Sequence, residues 1–168
     1  MKREAVPDYG ATEDECRAYF SACAALRENR GHVDLLRGQH YRKRAQFFAL
    51  YDDVRALPPN TAWTKLREMH DWFLFQIQEN SDLVSRCKTG AEVDAAAAQH
   101  RTAALLSVEG ADLLDCALDH LETVASWGVR LINPVWNNAN VLSGSCADEP
   151  DRGLSVYGRA VSYTHLRA

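Results

Sequence analysis

At 168 residues the chain can form one domain with a real core. A hydrophobic content of 46%, a charged content of 25% and a net charge of -4 are ordinary for a soluble globular protein and give no reason to expect nucleic acid as a partner. No apolar run approaches the ~20 residues of a membrane span, and the start MKREAVPDYG lacks a signal-peptide core, so no membrane span and a cytoplasmic location are expected.

Residues 1–11 are polar, carry Pro7 and Gly10, and predict an irregular start. Thr12 with Glu15 forms a capping-box pattern ahead of a helix over 13–27. His32-Val33-Asp34 has the HxD spacing by which a strand can present alternate residues to one metal ion. Two residues with one between them recur by chance, so a local structural role is expected for both. Ala45–Tyr51, AQFFALY, is aromatic-rich, bounded by charge, and predicts a buried strand. After the break at Pro58-Pro59-Asn60, residues 62–79 predict a long helix. Trp63, Leu66, Met69, His70, Phe73, Leu74 and Ile77 make its apolar stripe, with His70 as a packing residue.

Leu83–Cys87 predicts a short strand, and 91–99 an alanine-rich helix. Thr102–Val108 is a near-continuous apolar run, as in a parallel-sheet strand covered on both faces. Glu109 then falls at the C-terminal end of that strand, where α/β folds do their chemistry. Gly110 lets the backbone turn just after the acid. Leu113–Trp127 predicts a helix closed by Gly128, Val129–Val135 another strand, and 137–153 a polar loop. Strands alternating with helices are the mark of βα units around a parallel sheet, so one α/β domain or a piece of one is expected. The five cysteines (Cys16, Cys23, Cys87, Cys116 and Cys146) are scattered and never spaced CxxC, which argues against a disulfide framework and suits a reducing compartment.

The stretch SVEGADLLDCALDHLETVASWGVRLINPVWNNANVLSGSCADEPDRGLSVYGRA resembles the membrane dipeptidase family, also called renal dipeptidases or peptidase family M19. So does the upstream LRENRGHVDLLRGQHYRKRAQFFALY. An HVDL segment, an AQFFALY strand, a long helix, an S-[IV]-E-G strand end, a WN loop and a GL-x-x-[YF]-G-R turn follow in the family's order over roughly residues 26–160. The resemblance implies a metal-dependent hydrolase on a (β/α)₈ TIM-type barrel, present here in part, since a whole barrel takes about 250 residues. It implies two zinc ions, a metal-activated water and a small dipeptide as substrate. Glu109 matches the family's bridging glutamate. Trp136 and Asn137 match its substrate-side loop.

The chain departs from the family at both ends. Where the family has its first HxD zinc pair, this sequence reads DYGATEDECR, with Asp14 as the candidate metal residue, a relic of the pair. His32 and Asp34 are in register with the downstream HVDL, not with that pair. The family continues past its GR turn to strands supplying two zinc histidines and a late aspartate. Here 161–168, VSYTHLRA, does not resemble that continuation and looks foreign, so His165 is not taken as a ligand. The expected division is 1–160 as the N-terminal part of a dipeptidase-like barrel and 161–168 as an appended tail. With one convincing zinc ligand against the about three that a catalytic site needs, the chain is expected to be catalytically incomplete and not to retain zinc. The alternatives are another amidohydrolase-type metal hydrolase, or a degenerate member that binds peptide without cleaving it. The intact family implies a possible homodimer.

Overall fold

The computed structural model describes residues 11–12, 14–16, 18–19 and 24–165. The chain elements are strand β1 (Ala45–Leu50), helix α1 (Ala62–Glu79), β2 (Val84–Arg86), α2 (Gly90–Ala98), β3 (Thr102–Glu109), α3 (Leu118–Ser126), β4 (Val129–Asn133) and α4 (Val156–His165). Short 3₁₀ turns cover Val54–Ala56 and Ala111–Leu114. The strand order is β1-β3-β2, and β4 also pairs with β3. β3 runs parallel to β2 through Thr102–Ala104 and parallel to β4 through Leu106–Glu109. This is the α/β architecture with a parallel sheet that the sequence implies.

The chain divides into two compact units, Met1–Gln46 with Leu74–Ala104, and Phe47–Phe73 with Leu105–Ala168. In the first, Leu35, Ile77, Val84, Cys87, Ala96, Ala103 and Ala104 are buried. Thr89 caps α2 with a full capping box, its hydroxyl accepting from the Glu92 amide and the Glu92 carboxylate accepting from the Thr89 amide at 2.9 Å. Asp34 is the polar post of this unit. Its carboxylate accepts from the Arg37 amide at 2.7 Å, from Arg37 Nε at 2.5 Å and from the Asn29 amide at 3.4 Å. Asn29 donates from its side chain to the carbonyls of Ala25 and Val33. These bonds hold the 25–37 segment in a knot of turns, while His32 stays exposed. The HVD triplet is therefore structural at Asp34, and its two ends do not share a role.

The second unit buries Leu50, Leu66, Phe73, Leu106, Val108, Leu113, Leu114, Val124 and Leu142. Its α1 and α3 segments meet through a ladder of rings. His120 stacks on Trp63 at 3.9 Å, Trp63 on Trp127 at 5.4 Å, and Trp127 on His70 at 4.2 Å, all within 8° of parallel. Stacked aromatic pairs contribute about 0.5–1.5 kcal/mol beyond the area they bury. His70 is thus a packing residue, as its place in the apolar stripe implies.

Four local expectations are corrected. Residues 24–31 are not helical, so the predicted 13–27 helix does not reach its C-terminal end; one turn near Thr12–Cys16 is closed by the Cys16 amide on the Thr12 carbonyl at 3.0 Å. β1 is not a buried strand, because only Leu50 is buried and Ala45, Phe47 and Ala49 are exposed. The predicted helix 113–127 is broken. Ala111, Leu113 and Leu114 are buried together, a three-residue spacing that suits a 3₁₀ turn, and Asp115 and Cys116 then take left-handed φ of 52° and 50° before α3 begins. The GL-x-x-Y-G-R motif is a turn only in its first part. Tyr157, Gly158 and Arg159 are already helical, and a Cβ on Gly158 would lie 2.1 Å from the Leu142 carbonyl oxygen. α4 continues through residue 160 to His165.

Burial pushes the Asp34 carboxyl upward, but the Arg37 and Asn29 hydrogen bonds outweigh it and hold the group below its ordinary value. A depressed folded pKa adds stability that is present above the unfolded value, about 3.9, and is lost as pH falls through the folded one. Urea midpoints measured from pH 6 down to pH 2.5 should therefore fall below pH 4, and Asp34→Asn should be less stable at pH 6 with a flatter acid limb. An unchanged acid limb in the variant would show that Asp34 does not carry the dependence.

Candidate active site

The C-terminal ends of β1, β3 and β4 supply the residues around one cleft in the second unit. Tyr51, Asp52, Asp53 and Val54 follow β1 directly. Glu109 is the last residue of β3, with Gly110 and Asp112 after it. Trp136 and Asn138 come after β4. Together these residues line a solvent-open cleft. Ligand sites in parallel α/β folds form at such strand ends.

The turn after Glu109 explains how the acid is presented. Gly110 has φ 91° and ψ 111°, a conformation open to glycine and strained for other residues. It reverses the chain so that the Ala111 amide reaches the Pro134 carbonyl at 3.2 Å. A Cβ on Gly110 would meet Asp112 Oδ2 at 3.7 Å and Trp136 Cβ at 3.9 Å, so there is space for it and only the backbone resists.

The four carboxylates of the cleft are not equivalent. Asp53 caps the 3₁₀ turn, accepting from the Arg55 amide at 3.1 Å and from Asn138 Nδ2 at 3.3 Å. Asp112 accepts from Asn140 Nδ2 at 3.0 Å. Asp52 lies 3.9 Å from Lys65 Nζ. Among the described residues no side chain hydrogen-bonds or ion-pairs with Glu109, which is half-buried. The loop that carries Trp136 is tied down from outside the cleft. Asp148 accepts from the Ala139 amide at 3.1 Å and pairs with Arg55, and these contacts hold its carboxyl below the usual range. Tyr51 packs its ring on Trp136, centroids 4.2 Å apart at 51°. Burial, with Asp53, Asp52 and Glu109 nearby, pushes its phenol upward, so the phenol keeps its proton at neutral pH.

The family model of the membrane dipeptidases (peptidase family M19) matches residues 12–163. The chain belongs to this family. Among solved structures, dipeptidase AC, a metallopeptidase of family M19, is 27% identical over 82% of this chain, with a TM-score of 0.66. A metallopeptidase from Rhodobacter sphaeroides, liganded with a phosphinate mimic of the dipeptide L-Ala-D-Ala, is 21% identical over 82% of this chain, with a TM-score of 0.64. The probable dipeptidase PvdM from Pseudomonas aeruginosa is 18% identical over 82%, with a TM-score of 0.65. The two neighbours below 25% identity speak to the fold alone. This member spans only 45%, 47% and 39% of those chains respectively, so it covers part of a barrel-type metallopeptidase fold. No curated protein matches it. No helix of the described residues is long and apolar enough to cross a membrane.

Of the residues that the resemblance singles out, Glu109 and Trp136 line the cleft. Asn137 is exposed and is not among the lining residues; its carbonyl accepts from Ser145 Oγ at 2.6 Å, and its neighbour Asn138 faces the cleft instead. Asp14 is exposed and belongs to the first unit. Among the described residues no group of three or more His, Cys, Asp or Glu side chains comes together to hold a metal ion. The described donor set does not fit a zinc centre of about three protein ligands. Tyr51, Asp52 and Asp53 are cleft residues that sequence reasoning missed. Their signal was position, since a YDD triplet directly after a strand of a parallel sheet lies at the working edge.

Gly110→Ala should lower the stability of the chain by about 1–3 kcal/mol, the usual cost of forcing a non-glycine residue into such a conformation. Its urea or thermal unfolding midpoint reads this directly. An unshifted midpoint would mean that the turn after Glu109 can relax, and that glycine is not required to present the acid.

Proposed function

We propose that this chain is the part of a zinc-dependent dipeptidase that carries the metal-bridging carboxylate, Glu109, and one wall of the substrate cleft. One observation carries the reading. In a chain of the membrane dipeptidase family, the acid ending the central parallel strand faces a cleft with no side-chain partner among the described residues, while the other three carboxylates there each have one. A carboxylate at a strand end with no side-chain partner suits a ligand-binding duty better than a structural one. The reaction class is hydrolysis of the peptide bond of a small dipeptide. Trp136 is the substrate-side residue in the wall, and Asn137, exposed outside the lining, is the other substrate-side position of this reading.

The donor count also supports the expectation of incompleteness. A zinc ion that activates water takes about three protein ligands, and one carboxylate does not hold it tightly at neutral pH. Asp14, exposed in the first unit, is the one other metal candidate of this reading.

Purified chain loaded with zinc and dialysed against a weak chelator should keep far less than one zinc per chain by elemental analysis, and should not cleave Ala-Ala. About two retained ions, with cleavage that Glu109→Gln abolishes, would overturn the incompleteness and keep the assignment of Glu109. Cleavage that survives Glu109→Gln would remove Glu109 from the reaction.

A further inference from the structure

Tyr51 and Trp136 reach the cleft from different strands, one residue after β1 and three after β4. Their rings are in contact yet not buried away. Trp136 is 44% exposed and Tyr51 is half-buried, and both line the cleft. A tilted aromatic pair open to solvent offers a ring face to an incoming group. The wall around the pair contains Asp52, Asp53, Asp112 and Glu109 and no lysine, arginine or histidine. Of the nearby cations, Arg55 pairs with Asp148, and Lys65 stands outside the lining with its Nζ 3.9 Å from Asp52 of the wall.

A dipeptide brings one ammonium and one carboxylate. Coulomb repulsion turns its carboxylate away from this wall, and the quadrupole of an indole or phenol face attracts its ammonium. We propose that Tyr51 and Trp136 form an aromatic platform that receives the protonated amino terminus of the substrate, with Asp52 and Asp53 beside it. The proposal rests on the dipeptidase reading for the ligand class and on the geometry of the cleft for the orientation. Tyr51 is then a specificity-determining residue. It contacts the substrate's charged end and rejects peptides whose amino group is blocked. The phenolic hydroxyl is secondary, since the ring face does the recognition.

The test is calorimetric titration of the intact chain with Ala-Ala and with N-acetyl-Ala-Ala at pH 6.5 in the presence of EDTA, so that binding is read without metal or turnover. The free dipeptide should bind roughly five- to tenfold more tightly, the range expected of a partly desolvated cation on an aromatic face. Tyr51→Leu and Trp136→Leu should each remove most of that preference, and Tyr51→Phe should keep it. Equal affinities in the unmodified chain overturn the proposal without relying on any variant. So does a preference that survives both leucine substitutions. Tighter binding of the acetylated peptide removes the platform and leaves the dipeptide reading standing, whereas failure of both peptides to bind counts against both.

Discussion

Burial of Thr102–Val108 sets the terms for the rest of the molecule. Six of these seven residues are buried, and β2 and β4 take successive halves of the strand. A strand enclosed in this way has no place for a charge along its length. The first ionisable side chain it can carry is at its end, and that residue is Glu109. The register shift between Leu106 and Ser107, where the pairing with β4 is irregular, sits three residues before the acid. Irregular pairing near a functional strand end is a common way of aiming a side chain.

The turn that follows converts this position into a site. Gly110 reverses the chain at positive φ, Ala111 bonds to Pro134, and the loop bearing Trp136 is thereby brought beside Glu109. Hydrogen bonds from Asn138 and Asn140 then satisfy Asp53 and Asp112. These two acids stiffen the cleft wall. Glu109 is left as the carboxylate without a side-chain partner in this set. The uneven satisfaction of four acids, more than their number, distinguishes the functional candidate from the scaffold.

The aromatic ladder of the second unit performs a different task. His70, Trp127, Trp63 and His120 fix α3 to the N-terminal half of α1 by stacking, with His120 Nδ1 also 3.0 Å from the Leu114 carbonyl oxygen. α3 leads directly into β4, and β4 into the Trp136 loop. His70 and His120 thus serve packing, and a search for histidine by residue type alone points to the wrong places. His32-Val33-Asp34 is the clearest instance, with an exposed histidine beside an aspartate locked by Arg37 and Asn29.

Several elements were readable from sequence because their causes are local. The 62–79 helix follows from its stripe, α2 from its alanine content, and β3 from its apolar run and the glycine after its acid. The ordered motifs placed the chain in its family for the same reason, since each is contiguous. The break at Asp115-Cys116 was not readable, because a buried Leu113-Leu114 pair can belong to either kind of helix until the core claims both side chains. Nor was the exposure of β1, which depends on what covers it, and not on its own aromatic content. Tyr51, Asp52 and Asp53 joined the site only through the sheet, where strand ends 58 residues apart in sequence, Tyr51 and Glu109, come to line one cleft. The sequence by itself determined which residue ends the buried strand. Tertiary structure decided which neighbours surround it and which of the acids there has no side-chain partner among the described residues, because hydrogen-bond partners are assigned by packing across the chain and not by spacing along it.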